Sequence, residues 1–440
     1  MGQRRCYDSC VKRAFGVLLL AAIAAGAAYG LVVTQREAAF RRFVEQGDEA
    51  LARDDSFAAV EAFSVAISLK ADSMAAYLKR GEAYRRRRQF EEAERDLRRA
   101  AELDGLAVYP RELLGDVHYA VANSNGALAQ ATFSLAVDRY REAVALDDGS
   151  ARLQYKLGLA SYRAGAVDPA LAALRRAIAL DARFAEAHYV LGLCLREAQQ
   201  REAAVESLER AVALSPTLPS AREELVDLYA DLRRYDARLP HLEVLLALQP
   251  APARERALSL GYARAGHLDR AIGQLAHASK RYPGDAQIYI ALGQLWLERT
   301  AGGGGVEVNK ALEALKGAVG SDSTSEAMTL MGRALLLSGD AGRAEEMLQQ
   351  ASRRFPVDPD AFRYLSEAAQ RRGHTATVHR ALLDYSVLVP PESMAPSLLA
   401  RVAEAHMQAG HLVTARRLID AALARDPAND LARALKSRLS

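Results

Sequence analysis

The sequence predicts an all-α fold, a solenoid of about eleven helical hairpins preceded by a single transmembrane helix. Three observations predict it. A position that is usually small recurs about every 34 residues, at Gly47, Gly81, Gly115, Gly158, Gly192, Val226, Ser259, Gly293, Gly332, Ser366 and Ala403. In most units an alanine follows twelve residues later and another seven after that, with a bulkier apolar residue between them, as in Ala204, Leu208 and Ala211. Gly165, Gly266, Gly339, Gly373 and Gly410 fall seven residues past the small position, and Pro216, Pro250, Pro283, Pro356, Pro390 and Pro427 fall where a second helix should stop.

The spacing has a direct physical reading. Steps of four and three keep Ala, Leu and Ala on one narrow face of the second helix. Small side chains there let two helices approach, and the large one fills the groove that remains. A solenoid grows by adding neighbours, so 440 residues imply no central core and no set of globular domains.

The elements follow in chain order. Residues 1–13 form a basic leader containing Arg4, Arg5, Lys12 and Arg13. Residues 14–33, from Ala14 to Val33, are an uncharged run about long enough to cross a bilayer as a helix. A retained anchor is the expectation, and a cleaved signal peptide is the rival, because Ala25-Gly26-Ala27 offers small residues for processing. The leader favours repeats on the exported, periplasmic side. Arg36, Arg41, Arg42 and Arg53 beyond the run leave the reverse orientation open.

Units one to five span residues 40–218, and units seven to eleven span 252–429. Residues 219–251 form a divergent sixth unit, where Val226, Arg238 and Leu245 replace small residues. Bulk there should push helices apart, which makes this unit a candidate joint. Residues 430–440 are left for a capping helix. The third unit carries about nine extra residues, including Asn123-Ser124-Asn125-Gly126, and the eighth about six, including Gly302 to Gly305. Both insertions fall at the turn between paired helices and should project from one edge.

These residues resemble the tetratricopeptide repeat family over roughly positions 40 to 429. The resemblance implies a right-handed superhelix whose first helices line a concave groove, with a role in binding peptides or other proteins. Chaperone-tail binding is not implied, because Val44, Asp48, Leu78 and Glu82 stand where the family's carboxylate clamp would be. The chain is also similar to membrane-anchored members that organise lipopolysaccharide or exopolysaccharide production, without the paired-cysteine metal module that ends one such group.

The expected function is a membrane-anchored scaffold or adaptor, with an assembly factor for envelope polysaccharide or secretion machinery as the alternative. The expected groove residues are Tyr109, Tyr119, Arg152, Tyr155, Leu159, Tyr162, Tyr189, Leu193 and Arg196, since tyrosine and arginine are enriched at binding hot spots. Arg85, Arg86, Arg87, Arg88, Arg95, Arg98 and Arg99 form a candidate basic patch for anionic lipid or an acidic partner, although cations near a helix end also complement its dipole.

Other chemistry is not expected. With 58 basic and 55 acidic residues the net charge is +3, which exerts no general pull on nucleic acid. No nucleophile, base and orienting acid can be assembled, so no enzyme and no cofactor are expected. His267, His374 and His411 occupy equivalent places after glycine, which reads as repeat punctuation rather than a metal site. Cys194 reads as a buried structural residue, and Cys6 with Cys10 supplies too few ligands for zinc.

Overall fold

The structure, a computed structural model, describes residues 2–124, 126, 129–300 and 305–439, with side chains described from residue 24 onward. The chain divides into two compact units, Met1–Ala221 and Arg222–Ser440. In the first, α1 (Gly2–Ala52) pairs with α2 (Ser56–Leu69), α3 (Met74–Arg86) with α4 (Phe90–Leu103), α5 (Val108–Ser124) with α6 (Ala129–Leu146), α7 (Ala151–Arg163) with α8 (Val167–Leu180), and α9 (Ala185–Glu197) with α10 (Arg201–Leu214). The boundary falls within α11 (Pro219–Asp231).

In the second unit α12 (Tyr235–Leu248) is followed by the pairs α13 (Pro252–Arg264) and α14 (Leu268–Arg281), then α15 (Ala286–Arg299) and α16 (Gly305–Ser321). The pairs α17 (Ser325–Leu337) and α18 (Ala341–Ala351), α19 (Pro359–Arg371) and α20 (Thr375–Leu388), and α21 (Pro396–Gln408) and α22 (Leu412–Arg425) complete it. The last helix, α23 (Asp430–Leu439), covers α21 and α22 and buries Ala432 and Leu435. No strand occurs among the described residues.

Where the recurring small residue is glycine, it lies against a large side chain of the second helix. A Cβ at Gly158 would lie 2.6 Å from Leu174 Cγ, and one at Gly293 would lie 2.5 Å from Leu315 Cγ. In the third hairpin Tyr140 takes the place of leucine against Gly115. The flanking alanines, such as Ala170 and Ala177, are fully buried between the paired helices.

The first helices end in one way. In every hairpin without an insertion, the residue seven past the small position has a positive φ. Glycine fills that place at Gly165, Gly266, Gly339, Gly373 and Gly410, while Asp54, Arg88, Gln199 and Arg233 hold it at φ 60°, 59°, 60° and 55°. The next amide then reaches back to close the turn, as Ala166 N does to Ser161 O at 2.9 Å and Gln200 N does to Leu195 O at 2.8 Å.

The insertions extend helices more than they lengthen loops. The pair α5 and α6 runs to 17 and 18 residues, where α7 and α8 have 13 and 14. The extra turns brace both neighbours: Arg88 donates to Ser124 Oγ at 2.9 Å, and Gln130 Nε2 donates to Ala164 O at 3.1 Å. Asn125 and Gly302 to Gly304 lie outside the described residues.

In the sixth hairpin the bulky Val226 and Leu245 are buried with Leu242 and Leu258. Room comes from the following first helix. A Cβ at Gly261 would lie 2.6 Å from Leu242 Cδ1, so a missing side chain there offsets the added volume. Arg238, at the alanine position, has its Nε buried without a hydrogen-bond partner among the described residues.

Among the described residues no helix is long and apolar enough to cross a membrane. The run from Ala14 to Val33 lies on α1, and residues 1–23, with Cys6 and Cys10, fall outside those whose side chains are described. The expected span therefore finds no support in the fold.

Candidate functional site

The expected groove residues sit on three consecutive first helices of the first unit. Tyr109 and Tyr119 are on α5, Arg152, Tyr155, Leu159 and Tyr162 on α7, and Tyr189, Leu193 and Arg196 on α9. Relative to the small residue of its helix, each lies six or three places before it or one or four after, so steps of three and four put them on one stripe. Arg152 is exposed and Tyr109 is 42% exposed, while the other seven are half-buried.

Tyr119 and Tyr155 make ring contacts that use part of their surface internally. Tyr119 meets Phe133 edge to face with centroids 5.1 Å apart, and Tyr155 lies against Phe184 at 4.8 Å. Burial, with Glu186, Tyr119 and Tyr189 nearby, pushes the Tyr155 hydroxyl up to about 12, so it remains a neutral donor and acceptor. Burial likewise raises the Tyr109 phenol, with Glu82 and Glu112 adding to the effect.

A charged network that the sequence reading did not single out runs beside the stripe. Lys156 Nζ donates to Glu112 Oε1 at 2.7 Å and to Asp116 Oδ1 at 2.7 Å, and Arg152 Nη2 lies 3.0 Å from Glu112. Tyr140 donates its hydroxyl to Asp116 at 2.7 Å, so burial and this carboxylate raise its pKa. The link from Asp116 on α5 to Lys156 on α7 has a counterpart in the link from Asp48 on α1 to Lys79 on α3. An acid one place after the small residue, facing a lysine two places before the next, is the sequence signal that would have found both.

Five of the seven arginines of the expected basic patch turn to neighbours within the chain. Arg86 pairs with Glu82 and donates to Leu51 O, Arg87 stacks 3.7 Å over the Phe57 ring, and Arg88 turns to Ser124. Arg98 pairs with Glu94 and Arg99 with Glu102, whereas Arg85 has its Nε buried without a hydrogen-bond partner among the described residues and Arg95 is exposed.

The equivalent histidines stand at the N-cap positions of second helices, and their side chains turn to different neighbours. His267 lies 3.2 Å from Asp236, His374 lies 2.9 Å from Glu345, and His411 lies 3.3 Å from His406. Among the described residues no group of three or more His, Cys, Asp or Glu side chains is placed to hold a metal ion.

Among solved structures the chain is similar to YrrB, titled a TPR protein with an unusual peptide-binding site, at 22% identity over 46% of this chain and 98% of that one, with a TM-score of 0.38. It is also similar to PilF of Pseudomonas aeruginosa, at 22% identity over 51% and 97% of the two chains and a TM-score of 0.38. Yeast Tom70 matches at 14% identity over 86% and 91%, with a TM-score of 0.40. No curated protein matches the chain. Family models described as tetratricopeptide repeat match residues 75–105, 121–182, 168–219, 256–326 and 329–376, together more than half of the sequence. The chain belongs to the tetratricopeptide repeat family.

Proposed function

We propose that this protein is a membrane-anchored scaffold that docks an extended or helical partner segment along the stripe on α5, α7 and α9. Proteins of the family act in protein–protein interaction and peptide binding and are in general non-catalytic, which supports the reading. The observation that carries it is the stripe itself: five tyrosines in register on three first helices, with Arg152 and Lys156 held by Glu112 and Asp116. Preorganised aromatic and cationic groups reduce the ordering cost of capture.

Anchoring rests on the uncharged run 14–33 and its basic leader. Alkaline extraction of native membranes tests it, and protease access in intact cells tests which side the repeats face. For docking, crosslinking in native membranes identifies captured proteins. Replacing Tyr155, Tyr162 and Tyr189 together with alanine is expected to weaken capture while helical content stays the same. Unchanged capture by the triple variant removes the groove proposal. Enrichment of polysaccharide or secretion enzymes among the captured proteins would favour an envelope-assembly role.

A further inference from the structure

The ninth hairpin departs from the others at the end of its second helix. There α18 stops after 11 residues, whereas α20 and α22 run for 14. Elsewhere the carbonyl of the second alanine is bonded by the amide four residues on, as Asp426 N bonds Ala422 O at 2.8 Å. Here the buried Ser325, at the start of α17, intervenes. Its hydroxyl donates to Ala351 O at 2.9 Å and accepts from Asp358 N at 2.9 Å, which fixes residues 352–358 off the helical path.

That detour opens a cavity of about 1080 Å³ between the segment, α19 and α20. Phe362, Leu365 and Ala381 line it. Phe355, Val387 and Leu388 stand at its mouth, 96%, 83% and 47% exposed. Single exposed apolar residues are ordinary, but three around one concavity form a docking patch.

The charge around it says what fits. Arg353 and Arg380 line the cavity. Both are exposed, and neither has a hydrogen bond or ion pair from its side chain among the described residues. Asp384 is the one carboxylate in the lining. Uncompensated guanidiniums beside apolar surface favour carboxylates, which they bind through paired hydrogen bonds.

We propose that this cavity is a second docking site, which takes a partner peptide carrying one or two bulky apolar side chains flanked by carboxylates. The volume is slightly above that of pockets of roughly 300–1,000 Å³ that hold drug-sized groups, enough for two large side chains. The site uses no residue of the α5, α7 and α9 stripe and stands independently of it.

The test uses the full chain and a fluorescein-labelled amphipathic peptide of about fifteen residues with Leu and Phe on one face and Glu beside them, together with its Lys-for-Glu twin. Anisotropy titration at low ionic strength should show the Glu peptide binding at least about tenfold tighter than the Lys twin. Val387→Asp should weaken the Glu peptide about tenfold, and Arg353→Glu with Arg380→Glu should reverse the preference. These positions are exposed, so circular dichroism should be unchanged, and the triple tyrosine variant should bind the peptide normally. No binding, equal affinity for the twins, or indifference to Val387→Asp overturns the proposal. Self-association in sedimentation that Val387→Asp abolishes would assign the face to a second copy and overturn it too.

Discussion

A Cβ at Gly192 on α9 would fall 2.6 Å from Leu208 Cγ on α10, closer than real side chains approach. Gly192→Ala should therefore destabilise the array by about 1–3 kcal/mol through overpacking. This outweighs the gain of about 1 kcal/mol that alanine brings to a helix interior. Paired with Leu208→Ala, the two costs should sum to less than their separate values, since the second change removes the clash. Urea unfolding of the four proteins measures the coupling; strictly additive costs would locate the strain elsewhere.

Gln199 holds a left-handed conformation at φ 60° where five other hairpins use glycine. Gln199→Gly should raise stability by about 1 kcal/mol by relieving the Cβ clash of that conformation. Gly266→Ala, at φ 85°, should lower it by a similar amount, about 1 kcal/mol. Thermal midpoints of both variants check this, and a Gln199→Gly midpoint at or below the parent's would contradict it.

Burial pulls the pKa of His118 below its ordinary value, against the opposing pull of Glu94. The unfolded chain therefore takes up a proton near pH 6.5 that the folded chain refuses, so stability falls as pH drops through that value. Above it both states are neutral and the contribution vanishes. Between pH 7.5 and 5.5, His118→Gln should lose less stability than the parent in urea titrations. Equal losses would show that His118 is not the sensor.

Cys194 is fully buried, and burial pushes its thiol up to about 12. At pH 8 only about one molecule in ten thousand carries the thiolate, the reactive form. In a Cys6→Ser, Cys10→Ser background, alkylation by iodoacetamide should be undetectable in the native state and complete in urea. Rapid native labelling would mean that α9 opens locally.

The hairpins were legible in the sequence because a glycine facing a leucine sixteen residues later leaves few alternatives to close helix pairing. The left-handed turn was legible only where glycine marked it; Asp54, Arg88, Gln199 and Arg233 adopt it because the rest of the hairpin imposes it. The tyrosines could be placed on one stripe from steps of three and four. Their partners could not be foreseen, since Phe133 and Phe184 reach Tyr119 and Tyr155 from other segments. The neighbours of the run Arg85 to Arg88 could not be foreseen for the same reason: Arg86, Arg87 and Arg88 turn to Glu82, Phe57 and Ser124.

The lengthened third hairpin has a thermodynamic consequence. In an array whose stability is a sum of repeat and neighbour terms, hairpins can open one at a time. The bonds from Arg88 to Ser124 and from Gln130 to Ala164 tie the hairpins on either side to the third. Fraying that enters from the amino-terminal end therefore meets a cooperative block spanning α3 to α8, whose amides should exchange together rather than in sequence.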